Sequence, residues 1–305
     1  TTYSTQNLSN AQKTYNEILN DIIGNHPEVL VTIGNWDFCS QIHRKVNAAK
    51  ISMKQVQYVA PKLFERNKEI ALNMVNDIDL LLTVFPGEEK YFREAGINAK
   101  FVGHPMIEKG SKQEYINEFM NEYNISSQDN LISILPGKDP VDVKRMLPIF
   151  LEAAEIINDK AEKVKFVILA FNNVREIVEG IVEKSKQKAI IVSERFRESA
   201  ILSSFAAMTS GEGTTLELSL ELVPHVVAYK AGFLEKIIKS QHKDREHFNL
   251  SNSILQKDFV PVLMDDNCSS YNIAKEVLKI LKQPGYYEEQ LKYEEEVRNI
   301  LTNGG

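Results

Sequence analysis

Cysteine is scarce in this chain, and the apolar runs are short. The 305 residues contain two cysteines, Cys39 and Cys268, with no C-x-x-C spacing. That excludes the usual cysteine metal sites, and two lone thiols suit a reducing compartment. No apolar run approaches the ~20 residues that a membrane-spanning helix needs. No signal peptide is recognisable at the start, which carries no Met.

An excess of positive charge is also missing. The formal net charge is −6, which argues against a general nucleic-acid-binding protein. Neither a Walker loop, nor G-x-G-x-x-G, nor a nucleophile elbow occurs. Hydrophobic residues make up 43% and charged residues 26%, which are globular values. Isolated polar groups at predicted strand ends therefore favour a transferase cleft over a covalent hydrolase.

Short β-rich runs alternate with helix-length segments. This alternation is typical of an α/β fold with a parallel sheet, and consecutive apolar positions indicate strands buried on both faces. The predicted strands are residues 29–33, 55–59, 80–84, 100–102, 131–135, 165–171, 189–192, 225–229 and 259–263.

A polar, strand-free stretch at 108–130 separates about four strand units from about five. It predicts two Rossmann-like domains, residues 1–123 and 124–285, with a cleft between them. Residues 286–305 predict a charged, solvated helix.

Two single residues at strand ends are candidates for chemistry. Asp37 follows the first predicted strand in G-N-W-D-F, where α/β sheets bind ligands, and is a candidate general base. Its alternative role is that of a helix N-cap. His104, in F-V-G-H-P, is a candidate contact to a phosphate or substrate, or else an ordinary loop residue.

Two loops have the composition of phosphate loops. L-P-G-K-D-P, residues 135–140, lies between a predicted strand and a helix, where backbone N–H groups meet phosphates. S-G-E-G-T-T-L-E, residues 210–217, brings small residues to a helix start, and Glu217 lies one turn on, within reach of a ribose. The alternative for the second loop is a capping box, with Thr214 as N-cap and Glu217 as its partner.

Two further segments have both a functional and a structural interpretation. Asn252 is a candidate contact to a base or sugar, or a turn residue. Residues 230–245 combine lysines with Phe233, Leu234, Ile237 and Ile238 on one side. Such a helix either lies on an anionic membrane surface or packs its apolar stripe into the core.

Taken in order, these stretches resemble the lipid-A-disaccharide synthase family, from about residue 25 to about 282. The clearest stretches are Q-Y-V-A-P-K-L-F (57–64), L-L-L-T-V-F-P-G-E-E-K-Y-F (80–92) and F-V-G-H-P-M (101–106). The resemblance continues through L-P-G, T-L-E, V-V-A-Y, S-N-S-I-L and V-P at 135–137, 215–217, 226–229, 251–255 and 260–261.

The resemblance implies an inverting glycosyltransferase with the two-domain GT-B arrangement. The family joins UDP-2,3-diacylglucosamine to 2,3-diacylglucosamine 1-phosphate and releases UDP, in lipid A biosynthesis. It implies a UDP-sugar donor as substrate, no cofactor and no metal. A lipid acceptor also implies peripheral attachment to the inner face of the inner membrane, from the cytoplasm, and leaves a homodimer open.

The resemblance also implies roles for particular positions. It places the acceptor side in residues 1–123, with Pro61 and Glu88, and makes Asp37 and His104 the catalytic candidates. It places UDP in the second domain, at Gly137, Lys138, Glu212, Gly213, Thr214, Thr215, Glu217 and Asn252.

The chain departs from the family pattern at two points. Asp139 stands where the family has an arginine that serves the pyrophosphate, and Glu212 adds a second acid nearby. The family's opening glycine loop is not found, so the first domain is expected to lack its amino-terminal part. The alternatives are therefore a homologue that binds a ligand or partner without catalysis, and another UDP-sugar GT-B enzyme.

Overall fold

The computed structural model describes residues 5–61, 68–108, 113–232 and 249–302, and it forms two compact units. The first comprises Thr1–Pro105 with Ile300–Gly305, and the second Met106–Asn299. The sequence placed the boundary later, at 123/124. Residues 106–123 group with the second unit because Phe119, which is fully buried, belongs to that unit's core.

The first unit has a four-stranded parallel sheet in the order β1-β2-β3-β4. Its elements are α1 (Thr5–Asn25), β1 (Val29–Ile33), α2 (Trp36–Ala48), β2 (Lys54–Tyr58), α3 (Lys68–Met74), β3 (Leu80–Thr83), α4 (Glu88–Glu94) and β4 (Ala99–Phe101). A 3-10 turn, Pro105–Glu108, follows β4.

The second unit has a six-stranded parallel sheet in the order β10-β9-β8-β5-β6-β7. Its elements are α5 (Gln113–Glu122), β5 (Asn130–Leu135), α6 (Pro140–Asn158), β6 (Val164–Leu169), α7 (Arg175–Lys184), β7 (Ile190–Val192), α8 (Arg197–Leu202), β8 (Ala206–Thr209), α9 (Glu212–Leu220), β9 (His225–Tyr229), α10 (Leu250–Leu255), β10 (Val262–Met264), α11 (Ser270–Lys282) and α12 (Pro284–Thr302). The strand order reverses between β5 and β8, and such a reversal is where open α/β sheets bind ligands.

The second sheet is buried on both faces. Alternate residues of β5 point to opposite sides, so Ile132 and Ile134 join one apolar cluster with α6 and α11. Leu131 and Leu135 join another with α5 and α8. This arrangement confirms the predicted α/β class with two Rossmann-like units.

The structure corrects three local predictions. Strand β8 was not predicted, because Ala206 and Ala207 have little β propensity, yet it lies in the middle of the second sheet. The strand expected at 259–263 is observed at Val262–Met264. Helix α12 forms as predicted but is not solvated on all sides, since Gln290, Glu294 and Val297 are buried.

Candidate functional site

The two predicted phosphate loops are neighbours at the reversal point of the second sheet. One loop follows β5 and the other follows β8, and these strands pair directly. Ser210 N–H donates to the Leu135 carbonyl at 3.1 Å. Gly137 has a φ of +99°, and a Cβ on it would lie 3.4 Å from Ser210 Oγ. Glycine therefore suits the position, both for its left-handed backbone and for the close approach of the loops.

Asp139 is the N-cap of α6. Its Oδ1 accepts hydrogen bonds from the backbone N–H of Val141 at 2.8 Å and of Asp142 at 3.2 Å. These are among the N–H groups that a phosphate would otherwise use at this helix start. The carboxylate thus stabilises α6 and closes its N-terminus to an anion.

Lys138 remains a cation at this edge of the sheet. Its side chain is exposed and pairs with no carboxylate of the described residues. Its carbonyl accepts a hydrogen bond from Asn173 Nδ2 at 2.9 Å, which ties the loop after β5 to the loop after β6.

The start of α9 differs from that of α6. Gly211 is the N-cap and supplies no side-chain cap, so the capping box expected at Thr214 is wrong. The helix begins three residues earlier, and Thr214 Oγ1 instead donates to the Gly211 carbonyl at 2.9 Å and contacts Thr209 Oγ1. A helix start without a side-chain cap, next to small residues, is suited to a pyrophosphate.

Glu217 is held by an arginine that the sequence analysis missed. Arg197 Nη2 donates to Glu217 Oε2 at 2.8 Å, and the two side chains are 17% and 20% exposed. The Arg197 guanidinium also lies over the Phe171 ring, 4.9 Å from its centroid. Phe171 directly follows β6, whereas Arg197 lies on α8 and Glu217 on α9, the helices that follow β7 and β8. The one sequence signal for Arg197 is its position a few residues after the predicted strand 189–192.

The Asn252 side chain forms hydrogen bonds with the backbone of Val260. Its Nδ2 donates to the Val260 carbonyl at 2.9 Å, and its Oδ1 accepts from Val260 N–H at 3.0 Å. Asn249, not Asn252, caps α10. Both ends of the Asn252 amide are therefore engaged in fixing the segment before β10.

In the first unit, Asp37 lies exposed in the first turn of α2 beside a cleft of about 290 Å³. Asn35 is the N-cap, with its side chain accepting from Phe38 N–H at 3.4 Å, so the capping role considered for Asp37 is wrong. The cleft is also lined by Trp36, Ser40, Gln41, Arg44, Ile70 and Asn73. The Asp37 carboxylate is thus left accessible at the carboxyl end of β1.

A buried polar network supports the loop that carries Asp37. Gln57 Nε2 donates to the Gly34 carbonyl at 2.9 Å, and Thr32 Oγ1 donates to Gln57 Oε1 at 2.6 Å. His43 contacts Thr32 Oγ1 at 2.7 Å through Nε2 and Gln55 Oε1 at 2.9 Å through Nδ1. Burial lowers the pKa of His43, and its hydrogen bond to Gln55 opposes that shift.

The remaining first-unit candidates lie along the same sheet. The His104 ring packs on Phe85, with centroids 5.3 Å apart, and Glu88 Oε2 accepts from Phe85 N–H at 3.3 Å. Pro61 directly follows the buried Ala60. Strands β1 and β4 are three positions apart, or roughly 14 Å, so the sheet does not bring Asp37 and His104 directly together.

Two further points concern metal binding and the amphipathic stripe predicted from the sequence. In the described ranges, no group of three or more His, Cys, Asp or Glu side chains is placed to hold a metal ion. The amphipathic stripe predicted at Phe233, Leu234, Ile237 and Ile238 falls outside the described residues.

The sequence model of the lipid-A-disaccharide synthetase family matches residues 4–303. The chain belongs to this family. Curated lipid-A-disaccharide synthases from Rhodospirillum centenum and Rickettsia bellii are 28% and 27% identical over 91% and 92% of the chain. The chain spans 70% and 73% of those relatives, and 66% of the one from Gluconobacter oxydans. The family assignment made from the motifs is confirmed, and with it the class of glycosyltransferases in lipid A biosynthesis.

Solved structures show the same fold at low identity. The UDP-GlcNAc 2-epimerase from Neisseria meningitidis, bound to UDP-GlcNAc, has a TM-score of 0.67 at 13% identity, over 99% of this chain and 81% of its own. A UDP-forming α,α-trehalose-phosphate synthase from Burkholderia xenovorans has a TM-score of 0.59 at 11% identity, over 99% of this chain and 77% of its own. These likenesses confirm the GT-B fold class.

Proposed function

We propose that this member of the lipid-A-disaccharide synthetase family joins UDP-2,3-diacylglucosamine to 2,3-diacylglucosamine 1-phosphate, with inversion and release of UDP. The observation that supports this proposal most strongly is made between β5 and β8, where the strand order of the second sheet reverses. There the glycine loops after β5 and β8 meet beside the paired Glu217.

The donor nucleotide is proposed to bind along this carboxyl edge. The start of α9, with Gly213, Thr214 and Thr215, and the exposed Lys138 support a pyrophosphate site at the loops after β5 and β8. Glu217 supports a ribose site, because Arg197 fixes one carboxylate oxygen and leaves the other to accept from a diol. Asn252 supports the site indirectly, by fixing the segment before β10.

A ribose analogue tests this assignment. We expect the chain to bind UDP about 10- to 100-fold more tightly than 2′,3′-dideoxy-UDP, as the loss of hydrogen bonds to a charged group predicts. Glu217→Ala is expected to abolish the discrimination, and Arg197→Met to remove most of it by freeing the carboxylate. Titration calorimetry with both nucleotides measures this.

The control is Arg195→Gln, two residues away, since Arg195 pairs instead with Glu118. This variant should keep both affinities. Unchanged discrimination in Glu217→Ala would remove the ribose assignment.

The acceptor is proposed to bind in the first unit, with Asp37 taking the proton from its 6-hydroxyl. The accessible carboxylate beside a cleft supports this role. Pro61, Glu88 and His104 are proposed as acceptor-side groups. The distance between β1 and β4 supports a binding role for His104, separate from the base.

Peripheral attachment to an anionic membrane surface, on the inner face of the inner membrane, is part of the proposal. None of the described helices combines the length and apolar character that crossing a membrane requires. A groove of about 260 Å³ between α6 and α11 is lined by Lys160, Lys275, Lys279 and Lys282, with Tyr271 61% exposed. Lysines attract anionic lipid headgroups, and an interfacial tyrosine suits the headgroup region.

Vesicle sedimentation tests the groove. We expect the chain to bind vesicles that contain anionic lipid and to lose most of that binding in Lys160→Gln/Lys275→Gln/Lys282→Gln. Removal of the same number of charges around the end of α7, by Lys184→Gln/Lys186→Gln/Lys188→Gln, is the matched control. Equal losses in both triple variants would show that the net charge, not the groove, sets the affinity.

The second candidate is a homologue that binds its ligand without catalysis. The observation that favours it is Asp139, which caps α6 where the family has an arginine. A transfer assay with both lipid substrates separates the two, because UDP binding without turnover would establish the second. A homodimer is also proposed, and light scattering would measure it.

A further inference from the structure

The cleft beside Asp37 is lined by one face of α2. The four residues that α2 contributes on this face have the spacing i, i+3, i+4 and i+7, and they are Asp37, Ser40, Gln41 and Arg44. Helix α3 contributes Ile70 and Asn73. The cleft therefore has a carboxylate toward one end of the α2 face and a guanidinium toward the other.

Among the described residues that line the cleft, Arg44 is the one cation. Its Nε donates to Asp77 Oδ2 at 2.9 Å, and the side chains of Arg44 and Asp77 are 46% and 9% exposed. A guanidinium has five N–H groups, and this bond engages one of them. Its terminal Nη1 and Nη2 make no hydrogen bond in the part of the chain that the structure describes. The nearly buried Asp77 thus holds the guanidinium and leaves its terminal nitrogens to bind an anion.

The spacing of the two charged positions fits a phosphorylated hexose. A rise of about 1.5 Å per residue places Asp37 and Arg44 about 10 Å apart along the helix axis. A hexose 1-phosphate whose 6-hydroxyl and phosphate each form a hydrogen bond of about 2.8 Å spans roughly the same distance. The arginine attracts an anion and the aspartate repels it. This charge pattern orients such a sugar with its phosphate at Arg44 and its 6-hydroxyl at Asp37.

The other lining residues suit a sugar. Trp36 and Ile70 contribute apolar atoms to the wall of the cleft. Gln41 and Asn73 are exposed, and their amide groups make no hydrogen bond among the described residues. Amides both donate and accept hydrogen bonds, as sugar hydroxyls do.

We propose that Arg44 recognises the phosphate of the acceptor, so that the cleft selects a sugar 1-phosphate over the unphosphorylated sugar. The inference rests on the proposed function, which supplies the acceptor and makes Asp37 its base. Nη1 and Nη2 donate charge-assisted hydrogen bonds to two phosphate oxygens, a geometry that suits arginine better than lysine. Arg44 is therefore a specificity-determining residue, and it takes no proton in the reaction.

Tryptophan fluorescence tests this without turnover, because Trp36 is the only tryptophan of the chain and lines the cleft. The probes are glucosamine 1-phosphate and glucosamine. We expect the phosphorylated sugar to bind about 10-fold more tightly, the low end for hydrogen bonds to a charged group, because the site is exposed. Arg44→Gln should abolish this preference, and Arg44→Lys should keep only part of it.

Lys45→Gln is the matched control. It removes the same charge from the next residue of α2, whose Nζ instead donates to Asn16 Oδ1 at 3.3 Å. It should keep the full preference for the phosphorylated sugar. Asp77→Asn should keep it as well, since asparagine retains an oxygen for Arg44 Nε. Equal losses in Asp77→Asn and Arg44→Gln would assign the effect to the ion pair and overturn the proposal.

Four other outcomes also overturn it. These are equal affinity of wild type for both sugars, equal quenching by inorganic phosphate alone, an unchanged preference in Arg44→Gln, and an equal loss in Lys45→Gln. Should Arg44→Gln not fold, as circular dichroism would show, an unchanged preference in Arg44→Lys overturns the proposal instead.

Failure of the proposed function gives a different pattern. The sugar titrations need neither donor nor turnover, so a phosphate preference that depends on Arg44 stands even when the transfer assay yields no product. Conversely, disaccharide formation with an unchanged KM for the acceptor in Arg44→Gln leaves the proposed function intact and removes the role of Arg44.

Discussion

Replacing Asp37 by asparagine is expected to lower the turnover number for disaccharide formation by about 10²- to 10⁴-fold, the usual contribution of a general base. Asparagine keeps the shape of the side chain but cannot accept the proton of the acceptor hydroxyl. The change lies in the first unit, so the affinity for UDP should stay the same. A radiolabelled transfer assay, with UDP titrations alongside, measures both quantities.

A variant at a second carboxylate, Asp21, serves as the control for the Asp37→Asn result. Asp21→Asn changes an exposed aspartate on α1, and its side chain makes no hydrogen bond among the described residues. It should therefore leave turnover unchanged. Full turnover in Asp37→Asn would remove the base assignment, and equal losses in both variants would indicate an effect on the unit as a whole.

Glu294→Gln is expected to stabilise the chain at pH 8 by roughly 3 kcal/mol. Glu294 lies on α12, fully buried, with Oε1 3.3 Å from Nδ1 of the buried His225. Its carboxylate oxygens accept no hydrogen bond in the described part of the chain, and His225 Nδ1 also contacts the Val223 carbonyl at 2.9 Å. Burial raises the pKa of Glu294 to about 7, against the opposing effect of His225.

The sign of the pH dependence follows from that raised pKa. Below pH 4.5, the ordinary value, Glu294 is protonated in both the folded and unfolded states. Between pH 4.5 and about 7, the folded state retains a proton that the unfolded state has lost. The free energy of unfolding therefore falls across this window and then levels off. Glutamine imitates the protonated form at every pH, so the advantage of the variant grows across this window and is complete above it.

Urea denaturation at pH 5 and pH 8 measures the effect. Wild type and Glu294→Gln should unfold at similar urea concentrations at pH 5 and diverge at pH 8. Glu295→Gln, on the exposed side of the same helix, should follow wild type within about 0.5 kcal/mol. Parallel pH profiles for wild type and Glu294→Gln would contradict the raised pKa.

The sequence predicted which loops form the candidate site better than it predicted the contacts of their side chains. Glycine and small residues between a strand and a helix are local signals, and the two loops that meet at the reversal point were located from them. The partners of Glu217 and Asn252 are tertiary. Arg197 is 20 residues from Glu217 along the chain, and the strands before them, β7 and β8, are three positions apart in the sheet. The pair forms because Arg197 lies on α8 and Glu217 on α9, the helices that follow those strands. The N-caps considered for α2 and α9, Asp37 and Thr214, were also wrong, because other residues near each helix start can occupy that position.

The sequence alone determined the family, through motifs that occur in the family's order. It also determined the α/β class and the parallel sheets, because hydrophobic periodicity and turn residues act over a few positions. Only the tertiary structure decided the order of the strands, which placed β8 at the centre of the second sheet and joined the two loops. Strand order depends on which apolar surfaces pack together across the whole unit, and short-range patterns do not encode that choice.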